Sequence, residues 1–217
     1  MENKYVHIHI LRSSGRFEPY FKILERTIQR AVEKTADYIS LHPIDIVVYD
    51  DSRQVIPGFG HGGRTNNPHT MCVFLDPAFP DFEHTIKKEI PKTISHELHH
   101  AVRWKAVGYG MTLLERLVSE GLAICFEQDV WGGTLSPWAT ALSGKSLADI
   151  HEKAKSEYTS TTFHHGRWFY GTGDLPRWAG YSLGYQLVGE YLREHADKNA
   201  AMLVSTPLQS MIASGLR

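Results

Sequence analysis

Within residues 92–104, KTISHELHHAVRW, three histidines and a glutamate fall inside five positions. His96, Glu97, Leu98, His99 and His100 form the pattern H-E-x-x-H. On an α-helix each residue advances by about 100°, so residues four apart share one face. His96 and His100 then sit one turn apart and can grip one ion, and imidazole nitrogens are good zinc donors. Glu97 lies on their flank, able to reach a water at that ion without ligating it. His99 is about 100° away from His100 and reads as a polar-face residue beside Ser95 and Arg103. The chemistry such a set could do is metal-assisted hydrolysis, with Glu97 as general base.

Two histidines are too few, because catalytic zinc usually takes three protein ligands and keeps one position open. The segment TLLERLVSEGLAICFEQDV (112–130) reads as a helix that carries Glu120 among small and apolar neighbours. That is an unusual place for a solvated carboxylate. Glycines 108 and 110 in KAVGYGM supply a turn, so two antiparallel helices would return Glu120 opposite the His96/His100 turn.

The elements that must position these groups follow from periodicity. Ile90, Ile94, Leu98 and Ala101 make an apolar stripe beside the histidines, with Lys92, Ser95, His99 and Arg103 on the opposite edge; this predicts an amphipathic helix lining a cleft. Pro91 suits a first helical turn, or marks a kink in a longer helix. YVHIHIL (5–11) alternates as a strand, with His7 and His9 on its less apolar face, where solvated histidines are expected. Residues 17–40 predict a long amphipathic helix through Phe21, Leu24, Ile28, Ala31, Val32 and Ile39. IDIVVYD (44–50) and TMCVFLDP (70–77) read as buried strands. Helices are expected at about 82–107, 111–129, 145–158 and 179–196, and a last turn or helix after Pro207.

RQVIPGFGHGGRTNNPH (53–69) reads as a glycine- and asparagine-rich loop. It lacks the Lys-Ser/Thr of a P-loop and leads into a strand, so a dinucleotide fingerprint fails as well. Its functional alternative is a backbone-rich edge, with Gly60 and Gly62, beside which an extended peptide could pair as an added strand.

Strands first and helices after predict an α+β chain: a small mixed sheet with an edge strand over a cleft, packed on the histidine-bearing helix and on a mainly helical C-terminal part. The 217 residues suffice for one domain, strand-rich over 1–80 and helical over 81–217. Hydrophobic residues are 42%, charged residues 22%, and the formal net charge is −1. That balance gives no field for nucleic acid or an anionic membrane. No stretch approaches a membrane span and the N-terminus lacks the apolar core of a signal peptide. Cys72 and Cys125 read as buried free thiols. A cytoplasmic location is expected.

HELHH, followed twenty residues on by the glutamate of SEGLA, is the gluzincin arrangement. The fuller string TISHELHHAVRW…TLLERLVSEGLAICFE, with WAGYSLGYQLVGEYL near the C-terminus, resembles a bacterial family of predicted zinc-dependent proteases, domain of unknown function 2268. The similarity covers roughly residues 55 to 200. It implies a zincin-like fold and a zinc metallopeptidase acting on peptides or proteins, with His96, His100 and Glu120 as ligands of Zn2+ and Glu97 as catalytic base. One position departs from the thermolysin-like relatives: Ile124 stands where an aspartate would orient a zinc histidine. Glu127 and Glu115 are the candidates to replace it, along with backbone carbonyls. The Gly-Tyr-x-x-Gly-Tyr segment is a hallmark of the resembled family, and Tyr181 is the expected oxyanion donor. Tyr185, His165 and Arg167 are expected behind it, as substrate-binding groups. The alternative function is a non-catalytic zinc module with a peptidase-like fold, against which Glu97 argues. A zinc hydrolase of a non-peptide substrate is a third.

Overall fold

The computed structural model describes residues 6–216; Tyr5, the first residue of the expected strand, lies outside them. The chain is mixed α+β, with one four-stranded sheet and seven α-helices among the described residues. It divides into two compact units, and the division falls between Val102 and Arg103, inside a single continuous helix.

The first unit is built on the sheet. Strands β1 (Val6–Ile10), β2 (Ile44–Asp50), β3 (His61–Asn67) and β4 (Thr70–Leu75) lie in the order β1-β2-β4-β3. β1, β2 and β4 are parallel and β3 runs antiparallel to β4. β2 buries alternate residues, Ile44, Ile46 and Val48, whereas β4 is buried continuously over 71–75. An unbroken apolar strand such as MCVFL belongs in the sheet interior. His7 and His9 are exposed on β1, and His9 meets Asp45 at 2.7 Å. Helix α1 (Phe21–Ala36) packs on β1 and buries Leu24, Ile28, Ala31, Val32 and Thr35. It is shorter than the expected 17–40. A 3-10 turn at Glu18–Tyr20, containing Pro19, precedes it, and Ile39 is buried beyond its end.

Three features correct the sequence reading. First, the expected loop over 53–69 contains β3. Glycine and asparagine are poor strand formers, but β4 offers a complete pairing partner, and tertiary pairing overrides propensity. Second, the expected helix over 82–107 is two helices, α2 (Phe82–Lys88) and α3 (Ile90–Val107), parted at Glu89. A straight continuation would drive the Pro91 ring against the carbonyl four residues earlier. Third, the polar edge of α3 is not solvated. Ser95 and His99 are fully buried and Arg103 nearly so. The Ser95 hydroxyl meets Thr35 Oγ1 of α1 at 2.7 Å.

The second unit holds the end of α3 with α4 (Leu113–Trp131), α5 (Gly144–Lys155), α6 (Ala179–Glu194) and α7 (Leu208–Ala213). α4 opens on a capping box: Thr112 Oγ1 accepts from Glu115 N at 3.3 Å, while Glu115 Oε2 accepts from Thr112 N at 2.9 Å. α4 and α6 cross at glycines. A Cβ on Gly121 would stand 2.1 Å from the Gly184 carbonyl oxygen, so only glycine permits this approach. Arg103 Nη1 donates to the carbonyls of Leu203, Val204 and Thr206, which satisfies a buried cation with backbone oxygens.

Cys72 and Cys125 are free and buried. Among the described residues no helix is long and apolar enough to cross a membrane.

Candidate metal centre

His96, Glu97 and His100 sit in the middle of α3, in a run that is buried from Ile94 to Arg103. Helical spacing brings the two imidazoles together: His96 Nε2 and His100 Nε2 are 3.1 Å apart, with the rings edge to face. Glu120 lies in α4 and is 8% exposed. His96, His100 and Glu120 each offer one ligand atom, and these atoms all lie within 4.8 Å of one another.

The donor set fits a zinc ion. Two nitrogens on one tetrahedral zinc at about 2.0–2.1 Å are about 3.3 Å apart, close to the observed 3.1 Å. Three buried donors, two imidazole nitrogens and one carboxylate, match the ligand count of a catalytic rather than a structural zinc site.

Glu97 is held from the sheet side. Thr65 of β3 brings its hydroxyl to 2.8 Å from Glu97 Oε2 and 2.9 Å from the Glu97 carbonyl oxygen. Gly63, two residues earlier on the same strand, leaves the room: a Cβ there would lie 2.6 Å from Glu97 Oε1 and 2.8 Å from Thr93 Cγ2. His61, two residues earlier again, meets Thr93 Oγ1 through Nδ1 at 3.1 Å. The Thr93 hydroxyl gives its one proton to the Glu89 carbonyl, 3.1 Å away. Burial, with the Lys92 charge adding to it, lowers the His61 pKa from 6.5 to about 4, so the imidazole is neutral. The sequence reading missed Thr65, Gly63 and His61 because it placed them in a loop. The signal was their spacing, two residues apart, which turns all three to one face of a strand.

The remaining expected site residues fall in several places. Gly60 has φ 69, and a Cβ there would meet the Phe79 ring at 2.3 Å; one on Gly62 would meet the Gln54 carbonyl oxygen at 2.9 Å. Ile56 N donates to the His61 carbonyl at 2.9 Å, so the 54–56 segment covers the outer edge of β3 at that point. Tyr181 and Tyr185 lie one turn apart in α6 and are half-buried. Tyr181 meets the Phe169 ring edge to face at 5.1 Å. Burial raises the Tyr185 pKa, with the Cys125 and Asp129 groups acting the same way. His165 stacks on Phe169 at 4.6 Å. Burial lowers its pKa, and the Glu120 carboxylate opposes that shift, which puts His165 within electrostatic reach of Glu120. Arg167 belongs to a single turn of π-helix, Gly166–Tyr170. Its guanidinium is committed to Glu157 at 2.7 Å and Asp174 at 2.5 Å.

Of the two carboxylates considered in place of an acid at Ile124, Glu115 is spent on the α4 cap. Glu127 is buried and accepts from the Ser136 hydroxyl. Ile124 itself is fully buried in the core.

The model of a family described as Predicted Zn-dependent protease (DUF2268) matches residues 21–213. The chain is 31% identical to the Uncharacterized protein YjfC of Bacillus subtilis (strain 168) over 122 residues, covering 49% of this chain and 40% of that protein. It thus spans less than half the length of that relative. No solved structure matches the chain.

Proposed function

This chain belongs to the Predicted Zn-dependent protease (DUF2268) family, and on that premise we propose that it is a gluzincin-type zinc metallopeptidase that hydrolyses peptide bonds in peptide or protein substrates. The observation that carries this reading is the buried trio of His96, His100 and Glu120, whose ligand atoms lie within 4.8 Å of one another, with Glu97 on the same helix as the two histidines. In this reading those three residues hold the ion. When bound there, zinc supplies Lewis-acid polarisation and lowers the pKa of water towards about 7.

Glu97 takes the proton of the attacking water and delivers it to the leaving amine. Its place between Thr65 and the gap at Gly63 supports that role. Tyr181 supplies the second donor to the developing oxyanion, with His165 beside it and Tyr185 behind. Glu127 is the proposed orienting carboxylate for the ligand set, since Glu115 is engaged elsewhere. Beyond the point at His61 that the 54–56 segment covers, β3, at the edge of the sheet, is the strand along which an extended substrate would lie. The fold is read as zincin-like. The family match crosses both compact units, which supports taking the chain as one functional domain. A cytoplasmic setting with no nucleic-acid or membrane partner completes the proposal.

Cleavage profiling on a diverse peptide mixture, with and without a chelator, tests it. Wild-type protein should cut peptides in a chelator-sensitive way, and Glu97→Gln should keep its zinc but lose turnover. Glu97→Gln cutting as fast as wild type would overturn the mechanism. Stoichiometric zinc with no cleavage by wild type would favour a non-catalytic zinc module.

A further inference from the structure

β3 turns three alternate positions towards α3: His61, Gly63 and Thr65. The contacts of Thr65 and Gly63 divide the Glu97 carboxylate into two unlike oxygens. Oε2 lies 2.8 Å from the Thr65 hydroxyl, whose one proton is shared with the Glu97 carbonyl oxygen at 2.9 Å. Oε1 has no hydrogen-bond partner among the described residues and occupies the gap where a Cβ on Gly63 would come within 2.6 Å of it. A glutamate has three side-chain torsions and loses much rotamer freedom when fixed. A hydroxyl bond to one oxygen, at a buried position, is what selects one rotamer. Simple packing would not require that hydroxyl, because valine has the same shape as threonine without its hydrogen bond.

We propose that Thr65 is a positioning residue for Glu97: it pins Oε2, so that Oε1, in the clearance left by Gly63, is the oxygen that takes the proton from water. The inference rests on the peptidase reading for the use of Oε1, but the placement of the carboxylate stands apart from it. Losing a charge-assisted hydrogen bond and the alignment it enforces costs about 10- to 100-fold in rate.

The test compares Thr65→Val and Thr65→Ser in the zinc-loaded full chain, on a quenched fluorescent peptide taken from the wild-type cleavage profile. Thr65→Val should lower kcat about 10- to 100-fold with KM nearly unchanged and zinc content at the wild-type level. Thr65→Ser, which keeps the hydroxyl, should restore kcat to within a few fold. Wild-type kcat in Thr65→Val, or a Thr65→Ser variant as slow as Thr65→Val, would overturn the proposal. Crystal structures of both variants add a readout free of activity. The Glu97 carboxylate should leave its position in Thr65→Val and keep it in Thr65→Ser. An unmoved carboxylate in Thr65→Val overturns the positioning role whatever the enzyme assay gives. If wild type and Glu97→Gln both fail to cleave, the peptidase reading fails, and the crystal structures still decide the role of Thr65.

Discussion

The crossing of α4 and α6 gives a sharp stability prediction. In Gly121→Ala the new Cβ would stand 2.1 Å from the Gly184 carbonyl oxygen. Carbon and carbonyl oxygen meet comfortably at about 3.3 Å, so the helices must part by about 1 Å. The obstacle is backbone and cannot rotate aside. Overpacking of this kind costs about 3 kcal/mol, at the upper end of its usual range. Alanine returns about 1 kcal/mol through its better helix propensity. The net loss of about 2 kcal/mol corresponds to a Tm lower by about 4–8 °C in a chain of this size. Gly189, on the same α6, is the control, because a Cβ there meets nothing within 4 Å. Gly189→Ala should gain up to about 1 kcal/mol, or about 2–4 °C. Thermal melts followed by circular dichroism at 222 nm measure both. A Gly121→Ala protein that melts at or above the wild-type temperature would refute the close-approach argument. So would equal shifts for the two variants.

Acid stability should report His61. Its folded pKa, about 4, lies below the ordinary 6.5, so the unfolded chain binds the proton first as pH falls. The contribution is complete above pH 6.5 and fades towards pH 4, about 3 kcal/mol in all. His61→Gln should flatten the fall in Tm between pH 7 and pH 4, and parallel curves for variant and wild type would contradict this. Thr112→Ala removes the hydroxyl half of the α4 capping box and should cost about 1 kcal/mol, read as a Tm drop of about 2–4 °C; an unchanged Tm would show that Glu115 caps the helix unaided.

Where local pattern and final environment agree, the sequence is readable. Alternation marks β1, apolar runs mark β2 and β4, and Leu24, Ile28 and Val32 mark the buried side of α1. The spacing of His96 and His100 follows from helical geometry, and the isolation of Glu120 among apolar neighbours singles it out. The illegible parts depend on contacts made at long range. β3 is a strand because β4 pairs with it and because Gly63 allows it to lie against Glu97; its own composition, HGGRTNN, argues for a loop. The polar edge of α3 looks solvated until Ser95 finds Thr35 and Arg103 finds three carbonyls. The break at Glu89 was signalled by Pro91, whose position fits a helix start as well as a kink. Thr65 carried no local mark, because its role exists only once β3 and α3 meet.

The central claim is that His96, His100 and Glu120 hold one zinc. Elemental analysis of purified protein by mass spectrometry tests it most directly. Wild type should carry one zinc per chain after exhaustive dialysis. His100→Ala, still folded by circular dichroism, should carry close to none. A full zinc equivalent in folded His100→Ala would contradict the account.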